Sequence, residues 1–346
     1  MSADAPVRPA GGPAPDEGAP AANEHPWADD GRGKGGSGGV AKRFRFFLAA
    51  GVSLALIGAL AGVVSWLGRP GTPVFFPIFI SQQSERGIPS IPFGEIDRLS
   101  MSSGAAFDRV QTVSDLSLSR GALMGVLARV EAVSPWDDAV VYLAARAFVN
   151  SEGKVGVLPA DATVSGGTQP ATDSNGQSIR GAIELSSVYE VMEKCRARQK
   201  LLILDICNLF VNIPAGVAHF DIPERALAEY DARAASAKAP SQRFHLLLPC
   251  DAGQRSHVSR ALGGSVFCHF LGDALAGRLP ARPGCDGARL GKVFLSELVD
   301  TIGPRIDRWV YENDVGRRYP VLRSPPSAGQ FALSVPGRNP PPDPSD

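Results

Sequence analysis

Residues 199–207 read QKLLILDIC. Within them Leu201–Leu204 is apolar without alternation. A strand with one wet face alternates apolar and polar side chains, whereas a strand covered on both faces is apolar throughout. Asp138–Ala144 (DAVVYLA) and Phe244–Leu248 (FHLLL) have the same character, and Val74–Ser81 (VFFPIFIS) reads as a first buried strand. Shorter strands are expected over Phe107–Val113 and Lys154–Leu158. Arg120–Val133 places Leu123, Val126, Leu127 and Val130 at helical spacing. Further helices are expected over Ile91–Leu99, Ile179–Arg198, Pro223–Ala239, Val266–Ala276 and Leu295–Tyr311. Val164–Ser178 has the composition of a loop. This alternation predicts an α/β domain of three layers around a mainly parallel sheet.

Outward from that domain the chain changes character. Residues 46–68, FFLAAGVSLALIGALAGVVSWLG, carry no charge. A helix over that run crosses a hydrocarbon core of about 30 Å. Lys42, Arg43 and Arg45 precede it, and Arg69 alone follows closely. The positive-inside bias predicts a single-pass anchor with a cytoplasmic N-terminus and a non-cytoplasmic main domain. A cleaved signal peptide has a shorter apolar core and a small-residue cleavage site, which Ser65-Trp66-Leu67-Gly68 does not provide. Residues 1–45 are rich in Ala, Gly and Pro and read as a disordered cytoplasmic tail, and residues 324–346 as a Pro-rich tail. The folded domain is expected over 72–323.

Composition narrows the function. Thirty-five basic residues balance 35 acidic ones across 346 residues, which argues against a general nucleic-acid binder. Five cysteines with no C-x-x-C pair exclude a zinc ribbon, a thioredoxin motif and a disulfide framework. The lysine of GRGKGGSGG is followed by glycine, so no phosphate-binding loop is present. No His, Cys and carboxylate set has metal spacing, and there is no dinucleotide fingerprint. No metal or other cofactor is expected.

Four stretches in register resemble the caspase-like cysteine peptidases, including bacterial caspase-family and metacaspase-like domains. DAVVYLAARA (138–147) with GKVGVLPADA (153–162) resembles that family's catalytic-histidine strand and its following hairpin. QKLLILDIC resembles the strand ending in D-x-C. HLLLPCDAGQ (245–254) with LGGSVFCHFLGDALAG (262–277) resembles the next strand and helix, and LSELVDTIGPRIDRWV with RRYPVL (317–322) the last helix and strand. The resemblance implies a caspase-like sandwich. It also implies a thiolate nucleophile at Cys207, activated by an imidazole at the end of the preceding strand.

The sequence departs from the family at that imidazole. Ala144-Ala145-Arg146-Ala147 stands where the resemblance places S-G-H-G, so Arg146 replaces the histidine. A guanidinium cannot accept a proton. Asp205 and Cys207 match the family's D-x-C, but Asn208-Leu209-Phe210 replaces His-Ser-Gly. Among the five histidines, His25 lies in the tail, His245 begins a strand at the far edge, and His269 has a packed helical setting. His257 is the alternative base, because it follows a parallel strand at the ligand-binding edge. The resemblance gives Asp205 a role in holding a basic substrate side chain; its other reading is a strand-end cap. Asp161 reads as a turn residue. Cys250 lies near the same edge as Cys207, which makes the two a candidate disulfide pair in an oxidising compartment.

Three functions follow as expectations. The first is a membrane-anchored pseudo-peptidase that binds a peptide or protein without cleaving it. The second is an active cysteine endopeptidase that cleaves after Arg or Lys. The third is a structural, envelope-associated module.

Overall fold

The computed structural model describes residues 57–60, 72–84, 88–104, 107, 109–150, 152–164, 179–206, 211–212, 217–218, 221–237, 239, 242–279, 292–313, 316–325 and 331–334. The chain divides into two compact units, 1–69 and 70–346. In the first, residues 57–60 are helical. The rest of the apolar run 46–68 and the tail 1–45 lie outside the described residues. Among the described residues, no helix is long and apolar enough to cross a membrane.

The second unit opens with β1 (Pro73–Phe79), α1 (Gly94–Gly104) and β2 (Arg109–Val110). α2 (Arg120–Glu131) leads to β3 (Asp138–Ala144), and β4 (Arg146–Val149) with β5 (Val155–Leu158) forms an antiparallel hairpin. α3 (Leu185–Lys194) leads to β6 (Gln199–Asp205), and α4 (Ile222–Ser236) to β7 (His245–Leu248). A small hairpin, β8 (Val258–Ser259) and β9 (Gly264–Ser265), runs directly into α5 (Val266–Leu275). β10 (Lys292–Phe294), α6 (Leu295–Asn313), β11 (Val321–Arg323) and β12 (Ala332–Ser334) complete the unit.

Six strands form the central sheet in the order β11-β7-β6-β3-β1-β2. All neighbours are parallel except β11, which runs antiparallel to β7. The mixed α/β class and the mainly parallel sheet are thus as the apolar runs predict. Alternate side chains of the same strands supply two separate cores. Phe76 and Ile78, Val141 and Leu143, and Leu202 and Leu204 pack with α2, α3 and α4. Phe75, Val140, Tyr142, Leu201 and Ile203 face α5 and α6 on the other side. Helices therefore cover both faces, giving three layers.

Several boundaries differ from the sequence expectation. The helix expected over Ile179–Arg198 is confined to Leu185–Lys194. Before it, Ile179–Arg180 and Ile183–Glu184 are strands, separated by Gly181 at φ 81°. After it, Lys200 Nζ donates to the carbonyls of Glu193 and Cys195 and closes the helix end. The Phe107–Val113 strand shrinks to Arg109–Val110. The largest difference is C-terminal: Ala332–Ser334 pairs with Lys292–Phe294, and Phe331 and Leu333 are buried. The compact unit therefore runs on past Arg323 into the segment expected to be a loose tail.

Candidate functional site

β3 and β6 end side by side, with Ala144 opposite Asp205. The Ala145 N–H donates to the Asp205 carbonyl at 3.4 Å, and the chain then turns into β4 at Arg146. This is the carboxyl edge of a parallel sheet, where α/β folds bind ligands. Arg146 is buried there. Its Nε donates to the Pro89 carbonyl and its Nη2 to the Ser90 carbonyl, each at 3.2 Å. Burial pushes its pKa below the usual guanidinium range. The Arg146 side chain thus holds backbone from the β1–α1 connection. Cys207 and residues 208–210 lie outside the described residues.

Asp205 is 2% exposed. Its Oδ2 accepts from the Tyr142 hydroxyl at 3.0 Å and from Ser265 Oγ at 2.8 Å; its Oδ1 accepts from Ser256 Oγ at 3.0 Å. Burial raises its pKa, while the three hydroxyl donors oppose that shift. Such a carboxylate is not the bare acceptor that recognition of a basic side chain requires. Its described partners come from β3, β9 and the loop after β7, so it joins elements and is more than a cap for its own turn.

Sequence reasoning missed the other members of this network. The Ser265 N–H donates to both carboxylate oxygens of Asp97, at 3.0 Å each. Ser265 is also the N-cap of α5, where its Oγ accepts the Cys268 N–H at 3.4 Å. Two acidic side chains therefore converge on one residue at a helix N-terminus, the end whose dipole favours negative charge. Burial raises Asp97 to about 7; the Ser265 N–H lowers it and the Asp205 charge raises it. Burial also pushes the Tyr142 hydroxyl and the Cys268 thiol well above their ordinary ranges. From sequence, Asp97 is only an acidic residue within the helix expected over Ile91–Leu99. Its partner Ser265 lies 168 residues away.

The remaining candidates separate. Ser256 bonds Asp205, so His257 does lie at the carboxyl edge. Its Nε2, however, lies 3.4 Å from Arg318 Nη2, and a guanidinium only donates, so that nitrogen is the acceptor. His245 sits at the opposite edge, with Nδ1 2.9 Å from Ser324 Oγ, and burial lowers it to about 4. His269 lies edge-on to Phe270, with Nε2 3.6 Å from Asp273. His25 and His219 lie outside the described residues. Cys250 is a buried free thiol, and its candidate disulfide partner Cys207 lies outside the described residues. Asp161 Oδ1 accepts the Arg120 N–H at 2.7 Å, placing it at the start of α2. Among the described residues no group of three His, Cys, Asp or Glu is arranged to hold a metal ion. No protein-family model matches the chain, and neither does any curated protein.

Proposed function

We propose that the protein is a membrane-anchored caspase-like pseudo-peptidase that binds a peptide or protein without cleaving it. The observation that carries this reading is Arg146. It occupies the carboxyl edge of β3, where the resemblance requires an imidazole, and its guanidinium is engaged by the Pro89 and Ser90 carbonyls. A group with donors only cannot take a proton from a thiol. The order of the elements agrees with the resemblance: DAVVYLA lies beside KLLILD, a hairpin follows the first, and FHLLL neighbours the second. The closed network around Asp205 speaks against cleavage after Arg or Lys, because both carboxylate oxygens already accept from hydroxyls. The same network gives the structural-module reading its support. The anchor rests on hydropathy, together with the exposed side chains of Ile57 and Leu60.

The test uses the full chain in detergent micelles beside its Cys207→Ala variant. Both are incubated with a peptide library under reducing conditions, with and without calcium. Mass spectrometry reads cleavage and retained peptides separately. Retention by both proteins without cleavage is the expected result. Cleavage by the parent alone would establish a peptidase with an unorthodox base. Neither retention nor cleavage would leave the structural module.

A further inference from the structure

The segment Ile88–Phe93 connects β1 to α1 across the carboxyl edge of the sheet. Its middle is exposed and its ends are pinned. Ile88 is buried against Phe148, Leu158 and Ile179. The Ile91 N–H donates to the Ser81 carbonyl at 2.7 Å. Between these points Pro89 and Ser90 point their side chains to solvent and their carbonyls to Arg146. Beyond them Phe93 has φ 66°, in the left-handed region that a side chain of its size rarely adopts. Gly94 follows because a Cβ there would stand 2.2 Å from Ser81 Cβ. Strained backbone persists where its surroundings over-determine it, and such sites concentrate at clamps and switch regions.

We infer that Ile88–Phe93 is a strap closed over the candidate ligand edge, with Arg146 as its clasp, so that ligand gains the edge only when the strap lifts. The inference rests on the binding reading above and adds its regulation. Its physical basis is that the exposed pair Pro89–Ser90 is held, among the described residues, through its carbonyls by the Arg146 fork. Two backbone hydrogen bonds, the Ile91 N–H to Ser81 and the Asp97 N–H to the Phe93 carbonyl, and the buried Ile88 and Ile91 side chains anchor the segment on either side of the exposed pair, and an exposed stretch of that kind opens locally without global unfolding. The forked donor geometry of arginine suits two successive carbonyls; a lysine ammonium in its place is a single point of attachment.

The experiment is amide hydrogen exchange on the full chain in micelles, for the parent, Arg146→Ala and Arg146→Lys, alongside retention from the same peptide library. The Ile91 amide should exchange at least tenfold faster in Arg146→Ala, with an intermediate rate in Arg146→Lys. Protection of Val140–Leu143 in β3 should stay unchanged. Peptide retention should rise at least tenfold with strap opening. If Arg146→Ala loses the β3 protection, Arg146→Lys carries the test. Unchanged Ile91 exchange with β3 intact would overturn the clasp. Faster exchange with unchanged retention would overturn the gate, and retention by the parent would show that the binding reading survives without it. Absence of retention in all three, with the strap demonstrably open, would remove the binding reading and the gate together.

Discussion

Asp97 is held by burial at a pKa of about 7, and His245 is pushed by burial to about 4. Between about pH 4 and 6.5 their contributions to stability change with pH in opposite directions. Asp97 binds its proton more tightly folded than unfolded, so its contribution falls as pH rises from 3.8 through 7. His245 binds its proton less tightly folded, so its contribution is lost as pH falls from 6.5 through 4. At about 1.4 kcal/mol per pH unit, the first is on the order of 4 kcal/mol and the second on the order of 3 kcal/mol. Relative to the parent, Asp97→Asn should therefore gain stability at pH 8 compared with pH 4. His245→Asn should show the reverse, gaining at pH 4 compared with pH 7. Urea midpoints across this range measure both, and parallel pH curves for parent and variant would refute the assignment in question. Asp205 is raised by burial as well, so it adds to the Asp97 slope and does not cancel it.

At the scale of elements, two glycines make opposite predictions for one substitution. A Cβ at Gly94 would overlap Ser81, so Gly94→Ala must push α1 away from the end of β1. Overpacking of that kind costs about 1–3 kcal/mol. Gly121 sits in the first turn of α2, and a Cβ added there would meet nothing within 4 Å. At that position the same substitution should stabilise by about 0.4–1 kcal/mol, because alanine has fewer unfolded conformations to lose. Denaturant midpoints at pH 7 distinguish the two, and equal effects would contradict the packing. The cap of α2 offers a third check. Ser119 Oγ accepts the Ala122 N–H at 3.2 Å, so Ser119→Ala should cost about 1 kcal/mol in the same assay.

At the scale of the molecule, the C-terminal segment closes the core on the α5–α6 side. Phe331 is 2% exposed, its carbonyl accepts the Leu295 N–H at 3.0 Å, and its ring meets His245 edge-on at 5.3 Å. Phe331→Ala should cost about 3–5 kcal/mol, as large-to-small core substitutions do. It should also bring the His245 pKa back toward 6.5, because the ring is part of what keeps water from the imidazole. An NMR titration of His245 reads the second effect independently of stability. A destabilised variant in which His245 still titrates near 4 would show that other groups exclude the water.

The sequence by itself determined the architecture. Apolar runs such as Leu201–Leu204 and Val140–Leu143 can be satisfied only under cover on both faces, and helical spacing in Arg120–Val133 supplies that cover. It also determined that no proton acceptor stands at Arg146, since that is a property of the guanidinium wherever it points. Tertiary structure decided what those residues touch. The partners of Asp205 come from β3, β9 and the loop after β7, and Asp97 reaches Ser265 across most of the domain. Phe331 lies in a Pro-rich stretch and is buried where β12 pairs with β10 and its ring joins the core beside α6. Composition and periodicity report local preference and burial. Hydrogen-bond partners and pKa values depend on distances between residues far apart in the chain, and only the folded packing sets those distances.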